Sequence, residues 1–221
     1  MNIEQYKNHI EQAFEKAQQG ISKCSEELLN MPGMSGKKTR HLYNNLLNMS
    51  DARYLEIGVW LGSSTCSALY KNDVKYAYAI DNWIEYGGPK AAFEGNIKHF
   101  DVKEKLTFLE SDFMKVNVQT LPTFNIYLFD GGHEYEDHVM ALFHMIDCLD
   151  DVFIYIVDDW NWRNVRAATK FAIEQCNLSI LHGIEVRMTL DDLDTPPETA
   201  KEEFWNGVCI LLLQKNHSNK V

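Results

Sequence analysis

The chain has 221 residues, 45% of them hydrophobic and 24% charged, with a net charge of −11, which suits one substantial core in one domain with elaborations. Such an acidic chain lacks the basic face that displaces counterions from a nucleic-acid backbone, so small molecules or proteins are the expected partners. Cys24, Cys66, Cys148, Cys176 and Cys209 are odd in number and mostly set among apolar residues, which predicts buried free thiols. The first residues lack the basic-then-apolar order of a leader, and no apolar run approaches the ~20 residues of a membrane span, so the expected location is the cytoplasm, away from membranes.

In chain order, Ile3, Tyr6, Ile10, Phe14, Ala17, Ile21, Cys24 and Leu28 recur at steps of three and four, predicting one long amphipathic helix. Its stripe suits packing on its own domain, while the near-heptad spacing would also serve pairing with a second copy of the chain. Met31-Pro-Gly33-Met-Ser-Gly36 breaks that helix, and Lys37 opens another that runs to about Asn48. The break reads as an interhelix loop, with a lid as the alternative. Residues 1–50 are thus expected to form a helical cap or lid on a domain spanning 51–221.

Beyond residue 52 the pattern alternates. Strands are predicted at Arg53–Gly58, Lys75–Ile80, Leu106–Glu110, Asn125–Asp130 and Val152–Asp158, and helices at Gly62–Tyr70, Lys90–Phe100, Glu134–Leu149 and Trp162–Cys176. Such alternation needs crossover connections and predicts an α/β fold with a mostly parallel sheet. Leu178–Met188 and Gly207–Gln214 read as an antiparallel hairpin at the sheet edge, joined by an acidic, proline-containing segment, Thr189–Asn206, in which no sizeable helix is expected.

Three features of this pattern carry chemistry. Glu56-Ile-Gly58-Val-Trp-Leu-Gly62-Ser-Ser-Thr lies where the first strand feeds the first helix of the sheet, so backbone can approach a ligand and helix-start amides can meet an anion. It lacks the closer Gly-x-Gly-x-x-Gly order of dinucleotide sites and carries Trp60. Asp81 ends the second strand, where an acidic side chain can accept from ribose hydroxyls or cap the turn. Tyr-Leu-Phe-Asp130-Gly-Gly-His133 and Tyr-Ile-Val-Asp158-Asp159-Trp160 bring carboxylates to the carboxyl edge of a parallel sheet, where α/β folds bind ligands.

Over roughly residues 50 to 215 the chain resembles the class I S-adenosylmethionine-dependent methyltransferases. The resemblance rests on Glu-x-Gly-x-x-x-Gly after the first strand, Asp81 after the second, Glu110-Ser111-Asp112-Phe113 after the third and Asp130 after the fourth. It implies a Rossmann-like, seven-stranded sheet with an antiparallel terminal strand. It also places the methionine part of the cofactor over Glu56, Gly58, Gly62 and Ser64, the ribose on Asp81, and the adenine beside Ser111 and Asp112.

A narrower similarity is to the divalent-metal-dependent O-methyltransferases of the catechol and macrocin types. It implies a metal, most simply Mg²⁺, on Asp130, Asp158 and Asp159, since hard oxygen ligands with room for water suit that ion. The same Asp pair also reads as a cap for the helix near Trp162. His133 stands where the catechol type carries its lysine base, and an imidazole can take that role near neutral pH; it also reads as a helix-start residue or as support for a ligand. The implied activity is metal-assisted methylation of a hydroxyl on a small molecule such as a sugar or polyketide-like acceptor. The alternatives are a metal-independent enzyme with His133 as base, or a binding or assembly protein built on a cofactor fold. Trp83, Trp160 and Trp162 are expected near the crevice, and His138 and His144 at solvated helix positions.

Overall fold

The structure, a computed structural model, describes residues 1–84 and 86–216. Among them, no helix is long and apolar enough to cross a membrane.

Helix α1 (Ile3–Gln18) starts from a reciprocal cap in which Gln5 N donates to Asn2 Oδ1 and Asn2 N to Gln5 Oε1, satisfying two otherwise orphaned donors. It ends ten residues earlier than its apolar spacing predicts. Gly20 takes a φ of +69°, and residues 19–25 lie along α3 (Lys37–Leu47), where Asn44 Oδ1 accepts from Lys23 N and Asn45 Nδ2 donates to Ile21 O. Two asparagines on the next helix thus replace helical partners for this stretch, a contact that periodicity does not reveal. Only a short helix, α2 (Glu26–Leu29), remains of the expected continuation. The stripe of α1 is used within the chain: Tyr6, Ile10, Ala13 and Ala17 are buried in the core, and Phe14 stacks on Phe204.

Seven strands follow: β1 (Arg53–Ile57), β2 (Tyr76–Asp81), β3 (Leu106–Glu110), β4 (Phe124–Phe129), β5 (Leu149–Asp158), β6 (Leu178–Val186) and β7 (Val208–Lys215). Between them lie α4 (Ser63–Leu69), α5 (Lys90–His99), α6 (Tyr135–Met145), α7 (Arg163–Gln175) and a six-residue α8 (Pro197–Glu202) inside the acidic segment, which the sequence reading leaves unassigned. The sheet order is β3-β2-β1-β4-β5-β7-β6, and β7 runs antiparallel to both neighbours in an otherwise parallel arrangement. This is the Rossmann-like methyltransferase architecture. The terminal hairpin lies at the sheet edge as expected, with β7 pairing β5 and β6 outermost.

One face of the sheet shares a core with α1, α3, α4 and α5 through Tyr54, Ile126, Leu128, Ile154, Ile156 and Ile210. The other, through Leu55, Ile57, Tyr127, Phe129, Tyr155 and Val157, packs against α6 and α7. Strand alternation makes the split, since successive side chains point to opposite faces. At ~2 kcal/mol for each fully buried aliphatic side chain, these two layers dominate the stability. They leave the carboxyl edge, with β1 between β2 and β4, as the place where order reverses and a crevice opens.

Candidate active site

Two strand ends converge at the middle of that edge because one of them finishes on glycine. Gly58 has a φ of +84°, and a Cβ there would stand 1.8 Å from the backbone oxygen of Asp130. The approach is locked by Gly58 N donating to Ile80 O at 3.0 Å and Asp130 N to Ile57 O at 2.9 Å. Beneath this turn Glu56 is fully buried; Ser64 Oγ donates to its Oε1, while its Oε2 finds no hydrogen-bond partner among the described residues. Burial pushes the Glu56 carboxyl up to about 7. Gly62 caps α4 in a left-handed conformation.

Asp81 does not stand idle at the end of β2. Its Oδ2 accepts from Val59 N (2.9 Å) and Trp60 N (3.2 Å), and its Oδ1 from Trp83 N (2.8 Å), so the carboxylate predicted to meet ribose here ties the glycine loop to the loop after β2. Ser111 N donates to Asp81 O, which carries the next strand end to the same place. Asp112 caps the short turn Phe113–Lys115 through its Oδ1. The positions foreseen for a cofactor thus line one continuous edge.

The loop after α2 closes over this region. Ser35 Oγ lies 2.8 Å from Ser63 Oγ, and a Cβ on Gly33 would come within 2.3 Å of Ser63. Arg40 is buried, and its Nη1 donates to the carbonyls of Leu28, Leu29 and Met31 while its Nε donates to Ser35. Carbonyls at the end of a helix are a fitting counterpart for a buried cation. The interhelix segment is therefore fastened onto the start of α4.

The acidic ends of β4 and β5 stand side by side. Register pairs Phe129 with Val157, so Asp130 and Asp158 follow at adjacent positions. Both carboxyls are held well above the ordinary range, first by burial and then by like charge: Asp158, Asp159, Glu56 and Asp81 act on Asp130, and Asp159 acts on Asp158. Asp159 adopts a φ of +53°, which turns its side chain away from the strand and toward the loop after β4. There Asp159 Oδ2 lies 2.8 Å from His133 Nε2, and its Oδ1 accepts from Asn206 Nδ2 at 3.0 Å.

The oxygens and nitrogen of Asp130, His133 and Asp159 all fall within 4.8 Å of one another, a spacing one cation can bridge. Of the expected trio of Asp130, Asp158 and Asp159, two members fall within this grouping, and His133 rather than Asp158 stands with them. The turn at Asp159 explains the exchange. Asp158 keeps the strand's direction, is 2% exposed, and its Oδ1 has no partner among the described residues. Two clustered carboxylates, an imidazole and an adjacent orphaned carboxylate oxygen fit a divalent cation.

Of the three tryptophans, Trp162 sits at the cluster, its ring edge-on to His133 at 5.1 Å and its Nε1 donating to Asp194. Trp160 is buried and donates to Glu185, and Trp83 packs against Phe93 and Phe108. Nor is His138 solvated as its position suggested: it is buried against Phe129, and burial pushes its imidazole down to about 3, leaving it neutral. His144 is half-buried, with its Nε2 at the Val116 carbonyl. Asn206 was missed altogether, since the only local signal it carries is the turn-like Asn-Gly pair before β7.

Residues 55–160 match the family described as "Methyltransferase domain". No match is found among curated proteins. Solved structures superpose over most of their length. An O-methyltransferase from Bacillus cereus in complex with SAH is similar at a TM-score of 0.60 and 10% identity, covering 94% of this chain and 91% of that one. The O-methyltransferase TomG from Streptomyces achromogenes, involved in tomaymycin synthesis and solved with SAM, gives 0.58 and 11%, with 91% and 89% covered. A precorrin-6y C5,15-methyltransferase from Geobacter metallireducens gives 0.57 and 16%, with 87% and 92% covered. At such identities the likeness is one of fold. Residues 55–160 thus match a methyltransferase domain, and the chain as a whole has the fold of these solved methyltransferases.

Proposed function

We propose that the chain transfers a methyl group from S-adenosylmethionine to a hydroxyl of a small-molecule acceptor at the Asp130–His133–Asp159 cluster. The observation that carries this reading is the 2.8 Å contact of His133 Nε2 with Asp159 Oδ2 beside Asp130, at the edge where the fold binds its cofactor. In the reaction an oxygen lone pair attacks the sulfonium methyl carbon in line, the C–S bond breaks, and its electron pair returns to sulfur. The hydroxyl proton passes to His133, and Asp159 stabilises the resulting imidazolium and holds the ring in orientation. Glu56, half-buried Asp130 and Asp158 stand together, and a cationic sulfonium beside them would offset part of the like-charge repulsion that holds their protons on.

Asp130 and Asp159, with His133 or the free oxygen of Asp158, would hold a divalent cation such as Mg²⁺. When bound, it would make the acceptor hydroxyl more acidic and fix its direction. The second reading is metal-free, and the same His133–Asp159 contact favours it, because a carboxylate-oriented imidazole is complete as a base. Calorimetry with S-adenosylmethionine tests the shared part: micromolar binding to the wild type, weakened in Asp81→Ala, supports the enzyme reading. No binding to folded protein would overturn it in favour of a binding or assembly role. An acceptor screen with and without chelator then separates the two mechanisms. A cytoplasmic setting, where the free thiols persist, completes the proposal.

A further inference from the structure

We propose that Asn206 is a positioning residue that fixes the plane of the Asp159 carboxylate and so decides which nitrogen of a neutral His133 carries the proton. The inference rests on the reading of the cluster given above. It adds a part from outside the matched domain, because Asn206 lies just before β7 and reaches Asp159 across 47 positions.

The geometry leaves the Asn206 side chain one useful orientation. Its backbone carbonyl accepts from Asn161 N at 2.7 Å, which pins the residue against the turn after β5. Its amide oxygen accepts from Thr195 N at 2.9 Å, which leaves the NH₂ group for Asp159 Oδ1 at 3.0 Å. A flipped amide would set oxygen against carboxylate and NH₂ against N–H, losing both bonds. Thr195 is itself held, since Asn161 Nδ2 donates to its Oγ1 at 3.1 Å, and Asn161 Oδ1 accepts from Met188 N and Thr189 N. Asn161, Thr195 and Asn206 are all buried.

With Oδ1 of Asp159 engaged, Oδ2 is the oxygen turned to His133 Nε2. Contact at 2.8 Å needs a proton between nitrogen and oxygen, so a neutral His133 carries its proton on Nε2. Held in a left-handed turn, Asp159 has no strand neighbours to fix its carboxylate, and Asn206 supplies that constraint. The acidic segment before β7 is accordingly part of the site.

The test reads His133 directly in metal-free protein without cofactor. Histidines labelled with ¹⁵N in the imidazole are recorded at a pH where the ring is neutral, with His133→Gln identifying the signal. The wild type should show the Nε2–H form. Asn206→Leu, close in volume but without the amide, and Asn206→Asp, which can still accept from Thr195 N but repels Asp159, should both lose that preference. By calorimetry with Mn²⁺ alone, both should bind about 10- to 100-fold more weakly than wild type, with unchanged affinity for S-adenosylmethionine. The same His133 form in the folded variants as in wild type would overturn the proposal. Should Asn206→Leu fail to fold, Asn206→Asp decides; should wild type bind no Mn²⁺, the His133 signal decides. A wild type that binds no S-adenosylmethionine sinks the methyltransferase reading and leaves this test intact.

Discussion

The β1–β2 end of the carboxyl edge is tied through backbone amides held by one carboxylate, whereas the β4–β5 end is tied side chain to side chain. At the first, Asp81 gathers the amides of Val59 and Trp60 from 22 and 21 positions away, and Gly58 lets two strands touch. At the second, Asp159 joins His133 from the loop after β4 and Asn206 from a segment 47 positions further on. The comparison teaches that the first end should fail through the fold, and the cluster through chemistry in a fold that survives.

The largest effect that would break this contrast belongs to Gly58. Gly58→Ala puts a methyl 1.8 Å from the Asp130 carbonyl at a φ of +84°, so the strand ends must part. A loss of about 4 kcal/mol in urea unfolding, or failure to fold, is expected. A loss below about 1 kcal/mol would show that the two ends are not rigidly joined.

The next effect sharpens the other half. His133→Ala should lower turnover about 10²- to 10⁴-fold, with the affinity for S-adenosylmethionine and the unfolding midpoint close to wild type. Added imidazole should restore part of the rate if the ring serves as base. Rescue that disappears in the further variant His133→Ala with Asp159→Ala would assign the orienting role to the carboxylate. Absence of any rescue, with chelator sensitivity in the wild type, would move His133 to the ligand role.

This contrast also explains what the sequence made legible. The strand Leu106–Glu110 and the starts of α3 and α5 follow from local pattern, as do the glycine turn and the acidic strand ends, because backbone constraints leave compositional marks. The early end of α1 does not, since it depends on Asn44 and Asn45 capturing residues 21 and 23. His138 looked solvated because its helix is short and mixed, yet it falls on the face that meets Phe129. The exchange of Asp158 for His133 turns on one left-handed residue after β5, and consecutive Asp residues give no sign of which will leave the strand direction. The strands and helix of the first end were readable to within a residue, and the contacts of the second only to the strand.

A smaller effect tests whether the β1–β2 end also carries a titrating group. The folded Glu56 carboxyl, at about 7, holds its proton more tightly than an unfolded one near 4.5. Between those values the native state binds the extra proton, so this group's contribution is full below ~4.5 and is lost as pH rises through ~7. Glu56→Gln, which keeps the shape and the Ser64 contact, should be more stable than wild type at about pH 8 by up to about 3 kcal/mol and nearly equal at about pH 4.5. Asp130 and Asp158 are raised as well, so some slope should persist in the variant. Urea midpoints across that range for both proteins decide it, and parallel curves would show that Glu56 is charged in the fold.

The smallest effect is expected where the cap meets the acidic segment. Lys38 Nζ lies 2.7 Å from Glu203 Oε1, joining α3 to the residue after α8, and both side chains are about one-third exposed, at 29% and 34%. A pair so placed is screened by water and costs side-chain entropy to hold, so Lys38→Ala should lose no more than about 0.5 kcal/mol and become less distinguishable from wild type as salt is raised. The backbone contact beneath it is of another kind. A Cβ on Gly36 would stand 2.0 Å from Glu203 O, so Gly36→Ala must displace the segment that leads to Asn206. If the cluster depends on that segment, Gly36→Ala should disturb the His133 signal as Asn206→Leu does, whereas Lys38→Ala leaves it unchanged; equal effects from both would mean that the ion pair, and not backbone packing, holds the segment in place.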